Sequence, residues 1–332
     1  MADLTTPLCR RLGITQPIIQ APVTTLADVI GAVCNAGGLG MLQATWLSAA
    51  QTKESLGAIR ERTDRPFGAN YVVSLMGADE HANLDLVLET GVPVISTFWG
   101  DPAALVPRIH GAGALAMHTV GSAEEARRVV DAGVDVVVAQ GVEAGGHVWG
   151  EVSTLVLVPA VVDAVPGTPV VAAGGIADGR GLAAVLALGA QAAWIGTRFV
   201  MSAENRLHPD HRARMLAARE TDTLHSSLFD IGWPDAPHRA LVNDTVEAWI
   251  AAGRPEPGQR PGEGEVLATG AGGDPILRYS MEDPGGGTTG AVTSMCMYAG
   301  QGIGLIHDQK PVADIIGDMV AAAGAILGRA PG

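Results

Sequence analysis

A histidine that follows a glycine-rich turn is the strongest candidate for chemistry in this chain of 332 residues. The sequence reads AQGVEAGGH and ends at His147. Glycines let a flat ligand approach the backbone closely, and an imidazole beside such a ligand can accept or donate a proton near neutral pH. Most single histidines are structural, but the position of His147 favours an acid–base role.

Two more turns that contain glycine, a Gly-Gly pair and a Gly-Thr pair, follow apolar runs later in the chain. VVAAGG ends with Gly174 and Gly175, and WIGT ends with Gly196 and Thr197. Backbone N–H groups in such turns bind phosphate oxygens. Either pair alone is explained by a tight turn, but the two together predict one phosphate site.

Several other kinds of chemistry are disfavoured. The two lysines, Lys53 and Lys310, do not follow predicted strands, so Schiff-base and pyridoxal phosphate enzymes are unlikely matches. His208 and His211 have no third ligand nearby; they indicate a solvated helix start, and no metal is expected. No nucleophile elbow or P-loop occurs, and the glycine turns that follow the predicted strands lack the G-x-G-x-x-G spacing of dinucleotide-binding sites. The sequence therefore predicts that a phosphate-bearing cofactor supplies the chemistry.

The elements that position these residues repeat as a strand followed by a helix. Eight predicted strands begin near Pro17, Gly38, Phe67, Val92, Gly113, Asp135, Pro169 and Ala192. An open doubly wound sheet has the same alternation, but eight near-uniform units favour a (β/α)8 TIM barrel of the α/β class. In such a barrel the active site lies at the carboxyl ends of the strands, and phosphate binds after strands seven and eight.

The alternation stops after the eighth unit. We predict a barrel over residues 1–204 that is completed by 296–332, with a substrate or lid region over 205–295. Glycine and proline are dense between Gly253 and Gly290, which predicts a long surface loop without regular elements. Apolar residues at helical spacing from Pro311 to Leu327 predict a final helix that packs on the barrel.

Composition limits the partners and the compartment. The formal net charge is −14, from 21 basic and 35 acidic residues, and the basic residues are scattered, so neither nucleic acid nor a membrane is expected as a partner. Three distant cysteines argue against disulfides. The first residues lack the pattern of a secretory signal, so a cytoplasmic protein is expected.

Seven sequence blocks, spread over nearly the whole chain, resemble the nitronate monooxygenase family, formerly called 2-nitropropane dioxygenases. These proteins are FMN-dependent (β/α)8 flavoproteins. The blocks are QAP from Gln20, NAGGLG from Asn35, FGAN from Phe67, QGVEAGGH from Gln140, AAGGIADGRG from Ala172, GTRF from Gly196 and YAGQG from Tyr298.

The resemblance implies FMN as cofactor and assigns roles to the matching residues. Ala21, Pro22 and Val23 would lie beside the isoalloxazine ring, and His147 would face the substrate as the catalytic residue. The remaining cofactor-binding residues that it implies are Asn70, Thr119, Gln140, Gly145, Gly146, Ala173, Gly174, Gly175, Gly196, Thr197 and Gln301.

The activity implied is oxidation of alkyl nitronates, of the propionate 3-nitronate type, by dioxygen to a carbonyl compound and nitrite. A homodimer is also implied. An NAD(P)H-dependent flavin reductase, similar to enoyl-acyl-carrier-protein reductases or NADH:quinone reductases, is the alternative, because these enzymes share the EAGGH region. A flavin-binding protein without turnover is a third possibility.

Two positions depart from the family pattern. Val148 and Trp149 precede Gly150 where many relatives have a turn that is one residue shorter, so Trp149 is expected to narrow or cap the pocket. Val23 stands where methionine is common, which predicts different packing against the flavin.

Overall fold

The computed structural model describes residues 3–328 of the chain. The strands are β1 Ile18–Gln20, β2 Gly40–Gln43, β3 Phe67–Val72, β4 Val94–Phe98, β5 Leu115–Val120, β6 Val136–Gln140, β7 Gly146–His147, β8 Val170–Ala173, β9 Ala192–Ile195, β10 Thr223–Ser226, β11 His238–Leu241, β12 Val266–Thr269, β13 Pro275–Leu277 and β14 Thr289–Gly290. The α-helices are α1 Pro7–Leu12, α2 Ala27–Asn35, α3 Ala49–Arg60, α4 Ala78–Glu89, α5 Val106–Gly111, α6 Ala123–Asp131, α7 Thr154–Ala164, α8 Gly179–Ala187, α9 Thr197–Val200, α10 Pro209–Ala217, α11 Asp244–Ala251 and α12 Val312–Ile326.

Eight parallel strands form the central sheet, in the order β1-β9-β8-β6-β5-β4-β3-β2. A parallel bridge between Ile19 and Leu39 joins the two outer strands of this order, so the sheet closes into a barrel. Each barrel strand begins within two residues of its predicted start. The predicted (β/α)8 fold is confirmed, and closure excludes the open doubly wound sheet.

Aliphatic and methionine side chains fill most of the inside of the barrel, in keeping with the low aromatic content. Met41, Met117, Val138 and Val171 are buried in one inner cluster. Leu8 of α1 packs into the same cluster. Because this core fills the barrel interior, a ligand has to bind outside it, and enzymes with this fold use the carboxyl ends of the strands.

The final helix packs back on the barrel, as predicted. α12 lies against α2 and α8, and Ile315, Ile316 and Met319 join the large buried cluster between the strands and the surrounding helices. The last four residues of the predicted barrel segment 296–332 lie outside the described residues. The division of the chain into a barrel and a lid region stays a proposal.

The prediction of a structureless loop between Gly253 and Gly290 is wrong. β12 pairs antiparallel with both β13 and β14 in a small sheet. Glycines occupy the turn between β12 and β13, where Gly273 has a φ of +93° and its N–H donates to the Gly270 carbonyl. The glycine density therefore reflects tight turns between short strands, which periodicity alone does not reveal.

None of the helices in residues 3–328 is both long and apolar enough to cross a membrane.

The C-terminal helix offers a direct test of the packing. Ile316 is fully buried in α12, whereas Ile326 at the end of the same helix is 57% exposed. We expect Ile316→Ala to lower the free energy of unfolding by about 2–5 kcal/mol, because it leaves a cavity. Ile326→Ala, the matched control, should change it by no more than about 0.5 kcal/mol. Urea unfolding measures both; equal effects would contradict this packing.

Candidate active site

A cavity of about 540 Å³ lies at the carboxyl ends of the barrel strands. It collects fourteen of the fifteen residues that the sequence singled out. These are Ala21, Pro22, Val23, Asn70, Thr119, Gln140, Gly145, Gly146, His147, Ala173, Gly174, Gly175, Gly196 and Thr197. Gln301 is the exception. Its side chain is exposed, while its neighbours Gly300 and Gly302 line the cavity.

The two glycine-containing turns, Gly174-Gly175 and Gly196-Thr197, lie at adjacent strand ends, because β8 and β9 are neighbours in the barrel. Gly174 and Gly175 have φ values of +108° and +68°, a backbone conformation that favours glycine. Within residues 3–328, the N–H groups of Gly174, Gly175 and Thr197 donate no hydrogen bond to another backbone group. This wall of the cavity can therefore donate to an anion such as a phosphate.

Two amide side chains stabilise the strand ends around the cavity. The Asn70 Nδ2 atom donates to the Ser96 hydroxyl over 2.7 Å, which fixes the amide in the carboxyl-terminal half of β3. The Gln140 Nε2 atom donates to the His147 carbonyl over 3.1 Å. Gln140 thus stabilises the turn that carries the histidine.

His147 is positioned by a short strand that leaves the barrel. Gly146, with a φ of +74°, turns the chain so that β7 pairs antiparallel with β11. In this register His147 lies opposite His238. The catalytic candidate is therefore held between the barrel and the segment that follows the eighth barrel strand.

The imidazole of His147 is buried among aromatic rings. The Trp233 ring stacks on it at a centroid distance of 4.1 Å, and the Tyr298 ring lies 5.5 Å away. In the part of the chain that the structure describes, the Nε2 atom has no hydrogen-bond partner. Burial, with a smaller contribution from His238, lowers the pKa of His147 to about 3. The ring is therefore neutral at physiological pH, and its Nε2 atom is unsatisfied within the described residues.

The neighbouring His238 has a structural role. Its Nε2 atom accepts from the Phe229 N–H over 3.2 Å, and its Nδ1 atom lies 3.0 Å from the Ala236 carbonyl, which accepts from it. Both ring nitrogens are used within the protein, and burial lowers the pKa of His238. His238 thus presents a fixed, neutral ring beside His147.

Tyr298 adds a second polar atom to the same cavity. Its hydroxyl is buried without a hydrogen-bond partner that meets ordinary geometry among residues 3–328. The Cys296 thiol adjoins it, but sulfur is a weak acceptor, so the O–H remains available to an oxygen ligand. Burial raises the pKa of Tyr298 well above its usual value. The sequence pattern gave no role to this residue, because its packing against His147 depends on the fold.

The expectation that Trp149 narrows the pocket is wrong. Trp149 is 43% exposed and packs edge-on against Trp99, with ring centroids 4.7 Å apart. Trp233, more than 80 residues later in the sequence, packs against His147 instead and lines the cavity. The longer turn directs Trp149 away from the site. Val23 does line the cavity, and its side chain is exposed.

The histidines considered as metal ligands are part of a helix. The His208 Nδ1 atom accepts from the Asp210 N–H at the start of α10, as the predicted helix start requires. His211 differs from the prediction because it is buried. Among the described residues, no group of three or more His, Cys, Asp or Glu side chains is arranged to hold a metal ion.

The chain is similar to known proteins over most of its length. The model of the nitronate monooxygenase family matches residues 6–322. A curated relative from Mycobacterium tuberculosis, a 5-hydroxy-7a-methyl-1-oxo-octahydro-1H-indene-4-carboxyl-CoA dehydrogenase, is 36% identical over 248 residues, which cover 74% of this chain and 68% of the relative. A probable nitronate monooxygenase from Bacillus subtilis is 34% identical over 281 residues, 72% of this chain and 80% of the relative.

Two solved structures are similar over almost their full length. Nitroalkane oxidase from Streptomyces ansochromogenes has a TM-score of 0.77 and 29% identity, and the match covers 95% of this chain and 98% of that one. FabK from Thermotoga maritima has a TM-score of 0.78 and 28% identity, with 97% of both chains covered.

The buried imidazole predicts acid sensitivity. An unfolded chain protonates its histidines below about pH 6.5, but burial holds the pKa of His147 at about 3. Stability is therefore lost as the pH falls below 6.5. Between pH 7.5 and 5.0 we expect His147 alone to cost about 2 kcal/mol of unfolding free energy. Urea unfolding at both pH values measures this loss.

His147→Gln should reduce this pH dependence by a similar amount. His307→Gln is the control, because the His307 side chain is exposed. An unchanged pH dependence in His147→Gln would contradict a buried, neutral His147.

Proposed function

The chain belongs to the nitronate monooxygenase family, and on this premise we propose that it is an FMN-dependent enzyme that oxidises alkyl nitronates with dioxygen. The products would be a carbonyl compound and nitrite. Family membership makes it an oxidoreductase, and together with the nitroalkane oxidase neighbour it supports the oxidation of nitro compounds with a flavin cofactor. Propionate 3-nitronate is the member of the substrate class that the sequence resemblance implies.

One observation carries the proposal. The Nε2 atom of His147 and the hydroxyl of Tyr298 are both buried and both lack hydrogen-bond partners in residues 3–328, and their rings are 5.5 Å apart in one cavity. Leaving two buried polar atoms unsatisfied is unfavourable unless a ligand satisfies them. The two oxygens of a nitro or nitronate group would accept hydrogen bonds from the Nε2–H tautomer of His147 and from the Tyr298 hydroxyl.

The protonation state of His147 favours a nitronate over a neutral nitroalkane. A general base works best when its pKa lies near the operating pH, whereas the pKa of His147 is about 3. Such a ring is a weak base for removing a proton from carbon. It can donate its own N–H to an oxygen that is already anionic, and the Tyr298 hydroxyl can donate to the other.

The cavity fits FMN on the evidence of its backbone. N–H groups of Gly174, Gly175 and Thr197 that bond no other backbone group, together with Gly196, would hold the phosphate. Ala21, Pro22 and Val23 would support the isoalloxazine ring. The other residues that we assign to the cofactor are Asn70, Thr119, Gln140, Gly145, Gly146 and Ala173. Bound flavin would accept electrons from the nitronate and pass them to dioxygen.

The aromatic wall would exclude water from the reacting groups. Trp46, Phe98 and Trp233 line the cavity, and the Trp233 ring lies 6.2 Å from Trp46 and 6.4 Å from Phe98. Hydrogen bonds to an anion are stronger in such a water-poor site than in bulk solvent. The wall would thereby strengthen the contacts of His147 and Tyr298 with a nitronate.

A flavin reductase that uses NAD(P)H is the second candidate. The similarity to FabK extends over 97% of both chains, and the M. tuberculosis relative is named as a dehydrogenase. Reduction of the flavin by NADH or NADPH at a rate sufficient for turnover would favour this alternative.

Removal of the imidazole tests the proposed role of His147. Hydrogen bonds to charged groups contribute about 1.5–3 kcal/mol, so His147→Ala should lower kcat/KM for ethyl nitronate by about 10- to 100-fold. Nitrite release and oxygen uptake measure this change. His225→Ala on β10 is the control, since His225 lies outside the cavity lining. Full activity of His147→Ala would exclude this role.

Tyr298→Phe tests the second donor without changing the shape of the ring. We expect kcat/KM for ethyl nitronate to fall by about tenfold or more, because one oxygen of the nitronate loses its hydrogen bond. Tyr279→Phe is a matched control, because the Tyr279 hydroxyl donates to the Pro261 carbonyl away from the cavity. Equal activity of the two variants would mean that Tyr298 does not bind the nitronate.

A further inference from the structure

We propose that the substrate carries no carboxylate, so that the site selects nitronates with an uncharged chain over propionate 3-nitronate. This inference rests on the proposed function and specifies its substrate class. It depends on the charges that line the cavity and on their position relative to His147 and Tyr298.

Two acidic residues stand at the mouth of the cavity. Glu282 and Asp283 line it and are exposed. Across residues 3–328, no lysine or arginine side chain lines this cavity. A second negative charge on a substrate would therefore meet like charges and no compensating cation.

The backbone fixes these acidic residues in place. The Met281 N–H donates to the Ile231 carbonyl over 3.0 Å, and Ser280 forms a parallel bridge with Ile231. Pro284, on the other side, is buried. Because both flanks are held, the backbone of Glu282 and Asp283 is fixed at the mouth.

The charge of Asp283 also acts inside the cavity. Burial is the main reason why the pKa of Tyr298 is raised, and the carboxylate of Asp283 raises it further. The negative charge at the mouth therefore acts on the Tyr298 hydroxyl, which we assign to the nitronate. One anionic group is compensated there by the donors of Tyr298 and His147, but a second one has no such partner.

Nearby cations are engaged elsewhere. The buried guanidinium of Arg239 donates to the Val142 carbonyl over 2.9 and 3.1 Å. Arg198 forms an ion pair with Asp308 over 2.8 Å. Val72, Phe98, Trp233 and Met281 line the cavity and belong to one apolar cluster beside His147, which suits an apolar chain and offers no positive charge to a carboxylate.

A pair of substrates with the same shape isolates the effect of charge. The nitronates of 3-nitropropanoate and 3-nitropropanamide differ in one group: the first carries a carboxylate, and the second carries a neutral amide. With the holoenzyme at low ionic strength, we expect kcat/KM for the amide to exceed that for the carboxylate by about tenfold or more. Equal values, or a preference for the carboxylate, would overturn the inference.

Removing the negative charges of Glu282 and Asp283 should reduce the preference for the amide over the carboxylate. The double variant Glu282→Gln/Asp283→Asn should bring the ratio of the two kcat/KM values close to one. The control variant Glu256→Gln/Asp274→Asn removes the same charge from exposed positions outside the cavity, and it should leave the ratio unchanged. A ratio that responds equally to both variants would contradict a local effect of the mouth.

A binding measurement separates this inference from the proposed function. The dissociation constants of the two parent nitro compounds can be measured by quenching of tryptophan fluorescence, because Trp46 and Trp233 line the cavity. Tighter binding of the amide without turnover of either nitronate would reject the proposed function and keep the selectivity. Turnover of both with equal binding would keep the function and reject the selectivity. Failure of both compounds to bind would reject both.

Discussion

The pairing of β7 with β11 is the interaction on which the candidate active site depends. It holds His147 opposite His238 and buries the imidazole against Trp233. A protonated ring would be costly to bury there, so the histidine is neutral. The same burial leaves its Nε2 atom without a partner in the described chain, and our proposal assigns this unsatisfied atom to the substrate.

In the proposed function, the cavity would recognise anions through neutral donors. Backbone N–H groups of Gly174, Gly175 and Thr197 lie at one end, and the polar atoms of His147 and Tyr298 lie among aromatic rings. His147 is neutral. Of the lysine, arginine, aspartate and glutamate side chains in residues 3–328, those that line the cavity are all acidic, namely Glu282 and Asp283. Anion binding would therefore come from hydrogen bonds in a water-poor site, and we expect a second negative charge on a ligand to be penalised.

The sequence predicts the barrel well because each strand and helix buries one face at a regular period, and glycines mark the strand ends that can hold a phosphate. It fails where contacts join distant segments. The sheet of β12, β13 and β14 lies in a stretch whose glycines conceal short strands, and neither the stacking of Trp233 on His147 nor the role of Tyr298 follows from local spacing. Trp149, adjacent in sequence, instead packs on Trp99.

The most direct test is anaerobic mixing of the purified flavoprotein with ethyl nitronate, followed by flavin absorbance. The account predicts a rapid loss of the oxidised flavin spectrum that air restores, a much slower change in His147→Ala, and little change with NADH or NADPH. Rapid bleaching by a nicotinamide with no response to the nitronate would contradict the nitronate monooxygenase and favour the reductase.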